Sequence, residues 1–354
     1  MAAVLKEIQP QKLDALLGTM ISELGAAVNG ALVIIGDKLG LYRALAEGGP
    51  ATPAQLAART GTHERYIREW LCAQAASGFV EYDKQTQAFS LSPEQAAVLA
   101  DDNSPVFMLG GFESLAAVYA GQPRLTEAFR TGEGIPWGAH CTCLFCGTER
   151  FFRTGYKAHL LQEWLPALEG VVPKLAAGGA RVADVGCGHG ASAYLIAQAF
   201  PKAQVVGIDA HGPSIEVARD RGKGLSNLQF EVATAREYSG QYDLIAFFDA
   251  LHDMGDPVGA LEHARASLKP GGTVMLVEPM AADRLEDNLN PVSRSFYAFS
   301  TQLCVPGALS QKVGAALGAQ AGEARLREVA RKAGFSQFRR AAQTPFNLVL
   351  EARA

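Results

Sequence analysis

Cysteine is scarce, with six in 354 residues, too few for the disulfide lattice that holds small secreted domains together. An excess of positive charge is also missing. The 32 Lys and Arg face 36 Asp and Glu, a formal net charge of −4, so no broad basic field is offered to nucleic acid or anionic lipid. No apolar run approaches the roughly 20 residues of a bilayer span, the stretch from Gly30 to Gly36 being far too short. Lys6, Glu7, Lys12 and Asp14 are scattered among the first apolar residues, where a secretion signal would set a basic region before an apolar run and a cleavage site. Internal repeats and low-complexity tracts are lacking as well. These absences predict a soluble, cytoplasmic protein. What is present, 48% hydrophobic and 19% charged residues, is ordinary globular composition. The length exceeds the size at which single cores stop growing, so more than one domain is expected.

Residues 11 to 47 carry apolar side chains at helical spacing, with Leu13, Leu16, Leu17, Met20, Ile21 and Leu24 in one broad stripe that calls for a partner surface. Thr52-Pro53 reads as an N-cap followed by proline at the first helical position, Gly61 as the end of that helix, and Thr62 as the cap of another reaching Ser77. Two short strands, 79–82 and 88–91, follow around a polar turn. Helix, turn, helix and hairpin together suggest a winged helix over residues 1–104. Its candidate recognition helix opposes Arg65 and Arg68 with Glu64 and Glu69, and residues 51–100 hold four basic against five acidic side chains. Tight phosphate binding wants unopposed cations, so nucleic acid is an unlikely partner. Residues 105–176 read as a helical connector between the halves, broken by a loop from Gly132 to Thr148.

From 177 to 354 the pattern changes. Apolar runs at 181–185, 204–208, 228–232, 242–248 and 273–278 alternate with helical stretches at 190–200, 213–222 and 257–268, the signature of a parallel sheet covered on both faces. Residues 335–339 and 346–351 read as an antiparallel pair added to it. The run Val182-Ala183-Asp184-Val185-Gly186-Cys187-Gly188-His189-Gly190 is a buried strand entering a glycine turn that opens a helix. Gly186, Gly188 and Ala191 also satisfy the dinucleotide spacing, so charge must separate the ligands. A carboxylate at Asp184 would repel a pyrophosphate, whereas S-adenosylmethionine brings a sulfonium and an ammonium. Asp209, 23 positions beyond Gly186, ends the second strand where a carboxylate meets ribose hydroxyls.

Tyr242 to Asp253 and Leu268-Lys269-Pro270-Gly271-Gly272-Thr273 resemble the fourth-strand motif and the following turn of class I S-adenosylmethionine-dependent methyltransferases. Leu251-His252-Asp253-Met254-Gly255-Asp256 resembles the H-D-W-x-D element of plant-type O-methyltransferases, with Met254 in place of tryptophan. Over nearly its full length the chain is similar to a bacterial methyltransferase family with an N-terminal winged helix, to which Gly147 to Phe152 and Asp287 to Pro291 also belong. The resemblance implies an α/β fold, a Rossmann-like seven-stranded methyltransferase sheet behind a helical winged-helix domain. It further implies S-adenosyl-L-methionine as cofactor, a homodimer paired through the N-terminal domain, and a small-molecule acceptor whose hydroxyl is deprotonated by His252 beside Glu278. Cofactor contacts are then expected from Asp184, Gly186, Gly188, Gly190, Asp209 and Asp249. Ala233 and Thr234 stand where related enzymes carry an acid for adenine, and Phe248 could stack on the ring.

Acceptor contacts are expected from Trp137, His140, Asn290, Arg294 and Tyr297, with Asn288 and Cys304 in the same segment. Cys141, Cys143 and Cys146 beside His140 read first as structural or incidental, with two further readings open, a zinc site and capture of a thiol or arsenite-like metalloid as the methylated substrate. The C-x-C-x-x-C spacing lacks a second ligand pair, so no metal is assigned. A reading of another class, a ligand-sensing winged-helix regulator without catalysis, is disfavoured by the presence of both His252 and Glu278.

Overall fold

The computed structural model describes residues 8–354, which leaves Lys6 and Glu7 outside the described residues. The chain divides into two compact units, Met1–Ala116 and Ala117–Ala354.

In the first unit the periodicity of residues 11–47 resolves into two helices, Pro10–Lys38 and Leu41–Gly48. They separate because Gly40 adopts φ 66°, a left-handed conformation that a continuing right-handed helix cannot hold. Thr52 caps helix Pro53–Thr60 through a reciprocal capping box with Gln55, as its sequence signature implies. The next helix, Glu64–Ala76, is capped by His63, whose Nδ1 accepts the Arg65 N–H at 3.2 Å. Thr62, expected in that role, instead pairs its hydroxyl with Thr60 at 2.8 Å. The hairpin forms from β1, Glu81–Asp83, and β2, Ala88–Ser90. Its core centres on Trp70 and Tyr42, ring centroids 5.0 Å apart. The Trp70 indole donates to the Leu32 carbonyl at 2.9 Å, and Gln74 donates to Asn29 at 2.7 Å, so the second half of helix Pro10–Lys38 is tied into this core. On the first half the expected stripe is exposed, from 41% at Leu13 to 69% at Ile21. One sequence expectation needs correcting here. By length and composition this helix is apolar enough to cross a membrane, because between Glu23 and Asp37 it carries no charged side chain.

In the second unit seven strands form one sheet in the order β5-β4-β3-β6-β7-β9-β8. These are β3, Arg181–Val185, β4, Gln204–Asp209, β5, Leu228–Val232, β6, Tyr242–Phe248, β7, Leu268–Pro279, β8, Gln337–Gln343, and β9, Asn347–Arg353. Strands β3 to β7 pair in parallel, while β9 joins β7 and β8 antiparallel. Along β6, Leu244, Ala246 and Phe248 enter one core layer and Ile245 and Phe247 the other, the period-two alternation of a strand buried on both faces. The loop expected from Gly132 to Thr148 is shorter, since a helix starts at Thr142 and runs to Gly155. It continues as a π turn over Tyr156–Trp164, a distortion that often accompanies functional sites.

Candidate active site

All the parallel strands deliver their carboxyl ends to one edge, where an open α/β sheet binds ligands. At the end of β3 the glycine turn takes φ of 79° at Gly186, 52° at Gly188 and 73° at Gly190. A side chain would be stopped at two of these positions. A Cβ on Gly186 would lie 2.6 Å from that of Ala250, and one on Gly190 would lie 2.5 Å from the Phe230 ring, whereas on Gly188 it would enter open space. The amides are already engaged. Gly186 and Cys187 donate to the Ile208 carbonyl at 2.8 and 3.1 Å, Gly190 donates to Cys187, and Gly188 donates to Asp209 Oδ2 at 2.8 Å. Asp209 Oδ1 accepts the His211 N–H, also at 2.8 Å.

Asp184 is placed otherwise than its charge suggested. It lies fully buried beneath the turn, where Oδ2 accepts the Ser192 hydroxyl at 2.5 Å and Oδ1 is buried without a partner. Burial, aided by the charge of Asp209, pushes its pKa up to about 7 against the opposing Ser192 and Ala193 bonds. Through Ser192 it anchors the start of helix Ala191–Ala199.

Of the residues proposed for adenine, Ala233 donates its N–H to the Asp209 carbonyl at 3.1 Å, which ties the end of β5 to that of β4. The Thr234 hydroxyl is held by Glu237 at 2.9 Å in a local turn. Phe248 is buried in the core 5.3 Å from the Tyr156 ring, so its face is taken by protein. Asp249, at φ 49°, accepts from Tyr156 at 3.1 Å and from Asn347 at 2.8 Å. Burial and the nearby Glu278 push it up to about 8.

Past β6 the chain makes a short 3₁₀ turn, Leu251–Asp253, which aims His252 at the last residues of β7. Its Nδ1 lies 2.6 Å from Glu278 Oε2, and the other Glu278 oxygen accepts the Leu251 N–H at 3.1 Å. Both side chains are buried, 3% and 1% exposed. Burial disfavours charge on the ring, but Asp253 and Glu278, followed by Cys304, outweigh it and raise the His252 pKa well above the ordinary imidazole value.

The expected acceptor residues divide. Trp137 lies tilted against Phe145 at 5.4 Å, and Phe145 lies 4.7 Å from His211, so an aromatic cover extends from the connector to the end of β4. His140 sits 6.3 Å from Trp137, its Nε2 buried without a partner. Asn290 is the N-cap of helix Pro291–Phe299, accepting the Ser293 N–H at 2.9 Å. Asn288 likewise holds the loop, exchanging two 2.8 Å bonds with Ala282. Arg294 is exposed and Tyr297 half-buried on that helix. A disulfide joins Cys141 and Cys143, a pairing not read from the sequence, and it removes two of the soft ligands considered there. Tyr156, His211, Phe145 and Asn347 were not singled out. Tyr156 lies 93 positions from Asp249, and nothing in a local pattern ties two residues that far apart.

Residues 177–334 match the family model of a methyltransferase domain, and residues 27–101 that of an Rv2258c-like winged helix-turn-helix domain. Among curated proteins the chain is 32% identical over 124 residues to trans-aconitate 2-methyltransferase of Deinococcus radiodurans, matching 35% of this chain and 46% of that protein. It is 36% identical over 118 residues to ubiquinone biosynthesis O-methyltransferase of Bordetella avium, 32% of this chain and 46% of that protein. The chain thus spans about half the length of the curated relatives it matches. Human N-acetylserotonin methyltransferase in complex with S-adenosylmethionine superposes with a TM-score of 0.69 at 18% identity, covering 99% of both chains. An O-methyltransferase from neocarzinostatin biosynthesis, in complex with S-adenosylmethionine and 2-hydroxy-5-methyl naphthoic acid, gives 0.60 at 19%, covering 92% of this chain and 96% of that one. At these identities the likeness is one of fold. The chain therefore joins a methyltransferase domain to an Rv2258c-like winged-helix domain.

Proposed function

We propose that the chain transfers the methyl group of S-adenosylmethionine to a hydroxyl of a small-molecule acceptor, with His252 as general base and Glu278 orienting it. The 2.6 Å contact of His252 Nδ1 with Glu278, at the carboxyl edge of the sheet, carries this reading. The residues fit the cofactor. Open space above Gly188 admits a ligand close to the backbone, and Asp209 can receive ribose hydroxyls. The turn amides already donate within the protein, the Asp209 carboxylate lies beside the turn, and the Asp184 carboxyl beneath it is charged only above about pH 7. A diphosphate would meet repulsion and engaged donors, a sulfonium attraction.

When bound, the cofactor supplies a methyl group on a positively charged sulfur, already a good leaving group. The chain's own residues hold the acceptor in line and exclude water. Glu278 accepts from Nδ1, so once the ring is neutral, a form that grows as pH rises toward the raised His252 pKa, the Nε2 lone pair takes the acceptor's proton. The neighbouring carboxylates favour the imidazolium that results. Trp137, Phe145 and His211 supply an apolar cover for a planar acceptor.

We also infer a cytoplasmic homodimer paired through the stripe Leu13 to Leu24. Asn29 and Leu32 are bonded into the winged-helix core. That leaves for a membrane only a segment carrying Lys12, Asp14 and Glu23, whose charges oppose burial in lipid. A second copy offers the same apolar stripe.

The test is release of S-adenosylhomocysteine across simple phenols, a hydroxynaphthoic acid, a catechol, a thiol and arsenite. His252→Ala should lower turnover on the best hydroxyl acceptor by about 10²- to 10⁴-fold while leaving S-adenosylhomocysteine affinity unchanged. Turnover within threefold of the parent protein would remove His252 as the base, and preference for arsenite or the thiol would overturn the oxygen acceptor.

A further inference from the structure

His252 has a second ring nitrogen, and what surrounds it goes beyond proton transfer. Nε2 lies 3.3 Å from Asp253 Oδ1, and with Cys304 Sγ these three atoms all fall within 4.8 Å of one another. The Asp253 side chain is 35% exposed, but its Oδ1 atom is buried and in contact with His252. Cys304 is 8% exposed and ends the π turn Ser300–Cys304, which brings its thiol to the end of the sheet from a separate element. Three potential ligand atoms therefore converge on one point from two segments of chain, and a metal ion binding there would compete with the proton on His252.

We propose that His252 Nε2, Asp253 Oδ1 and Cys304 Sγ form a three-ligand site for one divalent cation of the zinc class, with the fourth position open. One nitrogen, one oxygen and one sulfur suit zinc or cobalt and not the hard, oxygen-seeking magnesium or calcium. In a tetrahedral site with bonds of about 2.0–2.3 Å, neighbouring ligand atoms stand about 3.5 Å apart. The His252–Asp253 spacing already matches, and the thiol needs only a small side-chain closure. The far side of the ring is prepared as well, since a histidine ligand is typically held through its other nitrogen by a carboxylate, the place Glu278 occupies at 2.6 Å. A cation here engages the lone pair assigned above to the acceptor's proton, so the loaded protein lacks its base. That consequence rests on the proposed role of His252, whereas binding of the ion does not.

Cobalt(II) titrated into the full reduced chain tests the site directly. One equivalent should bind with a thiolate-to-cobalt absorption in the near ultraviolet and tetrahedral visible bands, and zinc should displace both. Cys304→Ser should abolish the ultraviolet band and weaken binding at least tenfold, and Asp253→Asn should weaken it comparably, while unchanged S-adenosylhomocysteine affinity certifies that each variant is folded. The triple variant Cys141→Ser, Cys143→Ser, Cys146→Ser should keep the band. Absence of a saturable band, its survival in Cys304→Ser, or its loss in the triple variant would each overturn the proposal. Zinc should also suppress methyl transfer and a chelator restore it. If the band forms as described but His252→Ala leaves turnover intact, the base assignment fails and the metal site stands.

Discussion

The glycine turn gives a prediction that needs no knowledge of the acceptor. Gly188 and Gly190 have similar backbone angles, φ 52° and 73°, so alanine at either position incurs the left-handed penalty of about 1–2 kcal/mol. Their surroundings differ. At Gly190 the new methyl would lie 2.5 Å from the Phe230 ring and 3.1 Å from Ala218, which adds overpacking of roughly 1–3 kcal/mol. At Gly188 nothing stands within 4 Å, and the proposed ligand occupies that space. Gly190→Ala should therefore lose about 2–5 kcal/mol of stability and fail by unfolding. Gly188→Ala should fold with only the smaller loss, yet bind S-adenosylhomocysteine at least tenfold more weakly, about 1.4 kcal/mol. Thermal melts of the unliganded proteins and isothermal titration with S-adenosylhomocysteine separate the two effects. Parental affinity in folded Gly188→Ala would refute the placement of the ligand over this turn.

Three further outcomes follow from the same geometry. The folded protein holds a proton on Asp184 up to about pH 7, whereas the unfolded chain releases it near pH 4, so the folded state binds more protons between these values. Stability should fall as pH rises across that window, by up to about 4 kcal/mol, and Asp184→Asn should flatten much of the slope in urea melts at stepped pH. A parallel curve would show that Asp184 titrates normally, while Asp249, raised to about 8, leaves some slope in either protein. Glu278→Gln presents an amide donor to Nδ1 and turns the Nε2 lone pair into an N–H. Turnover should drop 10²-fold or more at unchanged S-adenosylhomocysteine affinity, and a drop confined to KM would contradict the orienting role. Leu17→Glu with Ile21→Glu, on a face 52% and 69% exposed in the single chain, should halve the mass seen by light scattering after gel filtration, and an unaltered mass would place the dimer contact elsewhere.

The sheet was legible because each strand is a short apolar run bounded by turn residues. Arg181 to Val185 and Tyr242 to Phe248 fall at their expected positions to the residue, since a strand buried on both faces has little freedom in composition. Boundaries set by a single competing contact were not legible. His63 and Thr62 are both able to cap a helix, and the choice depended on Thr60 standing within reach of Thr62. The length of β7 and the break at Gly40 likewise depend on neighbours distant in sequence or on one backbone angle. At the site, His252 was named from its place after the fourth strand of the domain and its likeness to the plant-type O-methyltransferase element, and Glu278 from that likeness.

By itself the sequence determined the fold class, the two kinds of domain and the edge of the sheet where chemistry is placed, because periodicity and glycine spacing are local and survive without coordinates. The tertiary structure alone decided what each polar side chain does. It buried Asp184 under the turn, enclosed Phe248 in the core, made Asn290 a helix cap, and brought Asp253 and Cys304 to one imidazole nitrogen. Such roles depend on distances between residues far apart in the chain, and packing sets those distances only when the whole unit closes.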